Sequence, residues 1–301
     1  MKVSDLLRRY EQGEIDFAGI DLQGADLRGV ILIGVNLSNA NLTGANLSRA
    51  FLIRAKLEGA CLHRTNLSFA KMNEAYFGNA DLTKANLSGA FLVKSKLPNV
   101  QMSGSILVGA NLRAAMLTNA NLCGADLNGI NLRGADLTGT NLKWANLRGA
   151  RLTAAKLTGN LLTGVNLQGA CLNGVNLALA ELDGVNLSQA KLNGVNLTGA
   201  KLVAANLSFA QMKAARLNRA NFTGANLEGV CLKRAHLNYT QFSNADLSHA
   251  DLTDAQLKGV QLHGTCFTGA IFPASFQEYL QRTSANNSVS SLSISHQMSA
   301  S

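Results

Sequence analysis

Proline is nearly missing from this 301-residue chain, with two residues against 28 glycines. Its bends must therefore come from glycine and small polar residues rather than from proline's fixed φ. Long apolar runs are also missing. The longest is about "VILIGV", Val30 to Val35, against the roughly 20 residues that span a bilayer, so no transmembrane helix is expected. The opening "MKVSDLLRRYEQGE" carries charges where a signal peptide would carry its apolar segment. No export signal is read there, and the cytoplasm is the default compartment. The five cysteines (Cys61, Cys123, Cys171, Cys231 and Cys266) are odd in number and form no CxxC, which argues against a disulfide framework and fits a reducing compartment. Glycine occurs singly, never as GxGxxG before a helix or as GxxxxGK[ST], so no phosphate-cradling loop is expected. Net charge is +9, which permits an acidic partner without requiring one.

What the chain does have is a beat of five. From Phe17 to Phe272, every fifth residue is Leu, Phe or Met through 52 consecutive units, 43 of them Leu, without an insertion or deletion. Two residues before each centre stands a small or branched residue, Ala in 33 units, and Asn160 is the one amide. With the centre called 0, positions −2 and 0 point inward as a small and a large apolar residue. Positions −1, +1 and +2 point outward and are rich in Asn/Asp, Ser/Thr and Gly, the residues of turns. Each unit is then a very short extended piece followed by a bend, and stacked coils pair their backbones at about 4.8 Å. A second period lies on the first. At position −1, the class Asp26, Asn46, Asn66 and onward is Asn or Asp in 11 of 13 cases, and the other three classes give 5, 6 and 3. Twenty residues, or four walls, per turn would produce this.

The A(N/D)LXX pattern of residues 15–274 resembles the pentapeptide-repeat family. The resemblance implies an all-β fold, a right-handed quadrilateral β-helix of about 13 coils with 20 residues each. At ~4.8 Å per coil such a solenoid is about 60 Å long and needs capped ends. Residues 1–14 read as an N-terminal capping helix, with Ser4 as its N-cap and Leu6, Leu7 and Tyr10 on one face. Residues 275–282 read as a short C-terminal cap and the Ser-rich 283–301 as a disordered tail. Asn160 is expected either to hydrogen-bond Thr140, one coil earlier in the same inward column, or to turn toward the wall at a local bulge.

Function, if legible, lies on the outward positions. The wall centred on Leu32, Leu52 and Met72 carries ten cations: Arg54, Lys71, Lys94, Arg113, Arg133, Arg151, Lys191, Lys213, Lys233 and Arg234. Its acids are Glu74, Asp251 and Asp254. This basic wall reads either as a surface for a polyanion or acidic protein or as a solvated face that maintains solubility. The second is favoured, because the charge is sparse beside duplex DNA and no aromatic interleaving serves base stacking. The same wall begins with Ile31, Ile33, Phe51, Ile53, Phe91 and Val93, a candidate patch for a partner or a second copy. The N-terminal helix folding over it is the alternative.

Cys61, His63 and Asp81 are candidate metal ligands by type, but no fourth ligand appears and Arg64 is adjacent. His236, His249 and His263 have no Ser or Cys in triad-like placement, and no acid pair sits in an evident cleft. No catalytic residue, metal or cofactor is assigned, and no small-molecule substrate is expected. The expectation is a non-enzymatic protein-interaction or scaffolding module with a protein partner. Nucleic acid or a membrane surface is the alternative occupant of the basic wall. The best-understood branch of the family mimics DNA and binds DNA gyrase. Those members are strongly acidic, so the positive charge here disfavours that role.

Overall fold

The computed structural model describes residues 2–276. The tail expected over 283–301, and the expected C-terminal cap past residue 276, lie outside the described residues. The chain divides into two compact units, Met1–Val165 and Asn166–Ser301.

The first unit opens with helix α1, Val3–Glu11. Its N-cap is Lys2 in extended conformation, without a side-chain cap. The N–H groups of Asp5 and Leu6 both donate to the Lys2 carbonyl. The N-cap thus lies two residues before the expected one, and Ser4 lies inside the first turn. Asp5 near the start and Arg8 and Arg9 in the last turn suit the helix dipole. Leu6 is fully buried. The Arg9 guanidinium binds the Glu14 carboxylate and lies 5.4 Å from the centroid of Phe17, the first inward ring of the stack.

Beyond α1 the first unit is a stack of coils. Parallel bridges join residues 20 apart, from Asp16–Asn36 to Asn141–Leu161. In the second unit they run from Asn166–Asn186 to Asp251–Ile271. Each is an isolated bridge, because only one residue per unit of five is extended before the chain turns again. A pairing interval of 20 sets four units in each coil, and no helix forms between Phe17 and Phe272.

The five N–H groups of one unit, Asn41–Ala45, show how this backbone is satisfied. Asn41 donates to Ile20 on the coil before, while Leu42 and Gly44 donate to Cys61 and His63 on the coil after. Ala45 donates back to Leu42 and closes a turn. The fifth group, on Thr43, has no backbone acceptor and donates to the Asn41 side chain at 3.2 Å. This is why position −1 favours Asn and Asp: the side chain caps the N–H two residues on. Where position −1 is another residue, an Asn or Asp at +1 one coil earlier can substitute. Asn73 Oδ1 accepts from Val93, Asn193 Oδ1 from Lys213, and Asp183 Oδ1 from Val203.

The turns share one geometry. Every fifth residue from Gly19 to Gly269 has φ between +53° and +72°, and 25 of these residues are not glycine. With a bond from the fourth residue to the first and positive φ at the third, these are turns of type II form. The coil imposes the conformation even on Glu74, Trp144 and Tyr239, none of which favours it.

Inward, the Leu, Met and Phe centres are almost all buried, and Phe222 stacks on Phe242 at 5.4 Å. Most inward hydroxyls are satisfied by the preceding coil: Thr65, Ser95, Thr240 and Thr265 donate to carbonyls 23 residues earlier, whereas Ser105 donates to Met102 within its own turn. Thr140 donates likewise to Leu117, and also to Leu137. It is therefore directed at the preceding coil, and the expected Asn160–Thr140 bond does not form. The Asn160 amide is buried with neither Oδ1 nor Nδ2 partnered, while the bridge from Leu161 to Asn141 stays in register.

Two outcomes follow for stability. Removing the orphaned amide by Asn160→Ala, the commonest residue at this position, should raise stability by about 1–3 kcal/mol. An unchanged or lowered urea midpoint would mean that the amide is paired in solution. Gly89 and Gly109 have φ of +64° and +66°, but a Cβ on Gly89 would lie 2.6 Å from the Phe69 ring, whereas nothing lies within 4 Å of one on Gly109. Gly109→Ala should cost about 1–2 kcal/mol for the left-handed backbone. Gly89→Ala should cost more, and Phe69→Ala should remove the difference between them.

Candidate interaction surface

The bridges place Ile31, Phe51, Lys71, Phe91, Asn111, Asn131 and Arg151 in one outward column of the first unit. Ile33, Ile53, Asn73 and Val93 form the column beside it. The six apolar residues singled out by the sequence therefore share a wall, but not as one patch. Ile31, Ile33, Phe51 and Ile53 occupy two successive coils. Lys71 and Asn73 occupy the next, and Phe91 and Val93 the one after. Lys71 bridges this interruption through its charge, with Nζ 4.2 Å from the Phe51 ring centroid. Ile31, Ile33 and Phe91 are 58%, 45% and 43% exposed, and Phe51, Ile53 and Val93 are half-buried.

Helix α1 leaves this patch open. It reaches the wall through the Tyr10 hydroxyl, which donates to the Ile33 carbonyl at 2.9 Å. Its apolar Val3 and Leu7 line a hollow of about 840 Å³ on another side, with Val30, Phe69 and the ion pair of Arg28 and Asp26. No histidine, cysteine or lysine lines that hollow. A smaller one in the second unit, about 450 Å³, is lined by Gly174, Asn176, Gly194, Asn196, Ala214 and Arg216.

All ten cations of the basic wall are exposed. Each of its three acids is already bound: Glu74 by Arg54 at 2.8 Å, Asp251 by Lys233 at 2.9 Å and Asp254 by Arg234 at 3.6 Å. The Arg54 guanidinium holds the Glu74 carboxyl below its ordinary range through a hydrogen bond and its charge. In the first unit this leaves Lys71, Lys94, Arg113, Arg133 and Arg151 without an ion pair among the described residues. In the second unit the same holds for Lys191 and Lys213.

The other groups picked from sequence stay apart. Cys61 and Asp81 are bridge partners, but no cluster of three His, Cys, Asp or Glu side chains is placed to hold a metal among the described residues. His236 contacts the Gln256 side chain at 3.1 Å, and the His249 ring lies over Gly269.

One class of exposed residue escaped the sequence reading. Phe69, Trp144, Leu179, Phe209 and Tyr239 stand at position +2, and each lies over a glycine 20 residues later, Gly89, Gly164, Gly199, Gly229 and Gly259. A large residue followed at that interval by glycine is the signal that would have found them. Ile106, Val108 and Met116 are also exposed.

On the neighbouring Leu37 wall, the Asp136 carboxyl accepts from the Thr138 hydroxyl at 2.6 Å and from the Thr138 N–H at 3.1 Å. Lys156 Nζ lies 3.4 Å away. These contacts, the Thr138 hydroxyl first, hold its pKa below the ordinary carboxylate value.

The family profile described as Pentapeptide repeats matches overlapping segments from residue 20 to residue 272. No curated protein matches the chain. Among solved structures the chain is similar to HetL of the cyanobacterium Nostoc sp. strain PCC 7120, a pentapeptide repeat protein involved in heterocyst differentiation regulation. Identity is 29% over 91% of this chain and 98% of that one, with a TM-score of 0.31. Full-length QnrB1, a plasmid-mediated fluoroquinolone resistance protein, gives 16% identity over 86% and 99%, with a TM-score of 0.30. A pentapeptide repeat protein of the Arabidopsis thaliana thylakoid lumen gives 25% over 38% and 76%, with a TM-score of 0.23.

A depressed carboxylate pKa contributes stability that is present above the unfolded value and lost as pH falls through the folded one. Thr138→Val should therefore lower the melting temperature at pH 7, and the gap from wild type should shrink in acid as Asp136 protonates. A gap of constant size down to about pH 2 would mean that the hydroxyl supports packing and not the carboxylate.

Proposed function

Because this chain belongs to the pentapeptide-repeat family, we propose that it is a non-enzymatic protein-interaction module whose walls, and not any cavity, make the contacts. The finer architecture we infer is the right-handed, four-sided β-helix of the family, for which the 20-residue bridge interval is the support. The observation that carries the functional reading is the exposure of Ile31, Ile33 and Phe91 on one wall, beside half-buried Phe51, Ile53 and Val93. Outward positions contribute nothing to the inward core, so the fold does not account for large apolar side chains there. Such residues in a cluster mark a surface that meets a partner.

The chemistry of the surface agrees. Outward side chains stand in columns at about 4.8 Å intervals on a backbone held at both neighbours, a rigid template that loses little entropy on binding. Among the described residues, neither hollow is lined by a histidine, cysteine or lysine.

The double variant Phe51→Asp/Phe91→Asp should keep the wild-type circular dichroism and melting temperature, because both side chains point outward. It should lose the proteins that the wild-type chain retains from a lysate of its source cells. Identical retained sets would remove the Leu32 wall from the proposal.

A further inference from the structure

We propose that the Leu32 wall of the first unit receives a short, extended, acidic polypeptide segment with apolar side chains at one end, an inference that rests on the interaction-module reading above. The wall has two zones. Coils one to four of this wall present Ile31, Ile33, Phe51, Ile53, Phe91 and Val93 around Lys71. From Phe91's coil onward it presents Lys94, Arg113, Arg133 and Arg151, exposed and without an ion pair among the described residues. The one carboxylate of this stretch, Glu74, is held by Arg54. An apolar zone that runs into an uncompensated basic zone matches a ligand with the complementary order, greasy at one end and acidic at the other.

The backbone of the same zone adds hydrogen-bond donors. Position −1 on this wall is Ile31, Phe51 and Lys71 on three consecutive coils, so no Asn or Asp caps the N–H two residues on. The N–H groups of Ile33, Ile53 and Asn73 have no acceptor among the described residues. Val93, on the next coil, is the first to recover one, from the Asn73 side chain. Three unfilled donors, at one-coil intervals beside apolar side chains, suit the carbonyl and carboxylate oxygens of an extended peptide.

Size selects the occupant further. Ile31 and Arg151 are six coils apart, about 29 Å at ~4.8 Å per coil, which an extended peptide spans in about nine residues at ~3.3 Å each. One cation per coil is sparse for duplex DNA, which carries a charge every ~1.7 Å, and the apolar side chains beside the open N–H groups have no complement on a phosphate backbone. A polypeptide with alternating side chains uses both zones.

The test displays random peptides of about twelve residues against the full chain, with selection repeated on two variants, Arg113→Glu/Arg133→Glu and Phe51→Asp/Phe91→Asp. Enriched peptides should carry Asp or Glu toward one end and Leu, Ile, Val or Phe toward the other. Each variant should weaken them about tenfold or more, and binding should fall with added salt. Peptides lost on Phe51→Asp/Phe91→Asp but indifferent to Arg113→Glu/Arg133→Glu would overturn the acidic-segment inference and leave the interaction-module reading standing. Competition by duplex DNA, with peptide binding unaffected by the Phe variant, would overturn it in favour of a polyanion. Absence of any peptide sensitive to either variant would remove both.

Discussion

Everything in this molecule depends on one inward pair, a small and a large apolar side chain, delivered every five residues by a left-handed turn. Burying a Leu side chain contributes about 1.5–3 kcal/mol. Holding a non-glycine residue at positive φ costs about 1–2 kcal/mol. The core term is at least as large, and in most units four backbone hydrogen bonds join it. That balance lets residues as ill-suited as Glu74, Trp144 and Tyr239 occupy the turn. The turn is set by the coil, and the identity of the residue within it is largely free.

That freedom divides the labour. Inward positions carry the fold and outward ones carry whatever the protein does. Position −1 belongs to both, since an Asn or Asp there caps a backbone N–H that is otherwise open. A wall rich in Asn and Asp is thus chemically closed, as on the Leu27 wall with 11 of 13. The Leu32 wall, with 3 of 13, gives up those caps in exchange for Ile, Phe, Lys and Arg. At position −1 that exchange places Ile31, Phe51 and Phe91 in the apolar zone and leaves the N–H groups of Ile33 and Ile53 open, whereas most of the basic zone stands at positions +1 and +2, as Arg113, Arg133 and Lys94.

Much of this was legible before any coordinates. The period of 20 at position −1 predicts the bridge from Asn36 to Lys56 and the others of its interval within each unit, and the inward alternation predicts the core residue by residue. Four features were not legible, each for a physical reason. The start of α1 depends on which carbonyl Asp5 and Leu6 choose, and Lys2 leaves no mark for this in its side chain. The Asn160–Thr140 bond fails because the Thr140 hydroxyl donates to the Leu117 and Leu137 carbonyls, a direction that residue type does not encode. The apolar patch looked continuous as a set of names, but Lys71 interrupts it once residues 20 apart are placed side by side. The rings at Phe69 and Trp144 went unnoticed because their meaning lies in the glycine one coil later.

The coil length underlies every placement on the Leu32 wall, and electron paramagnetic resonance measures it directly. Nitroxide labels on cysteines substituted for Arg113 and Arg133, in a chain otherwise free of cysteine, should show strong dipolar broadening, because adjacent coils lie about 4.8 Å apart. Labels at Arg113 and Asn128, 15 residues apart, should sit on different walls and broaden far less. Stronger coupling between the second pair would mean three units per coil. The columns that gather Ile31, Phe51, Lys71 and Phe91 on one wall would then not exist.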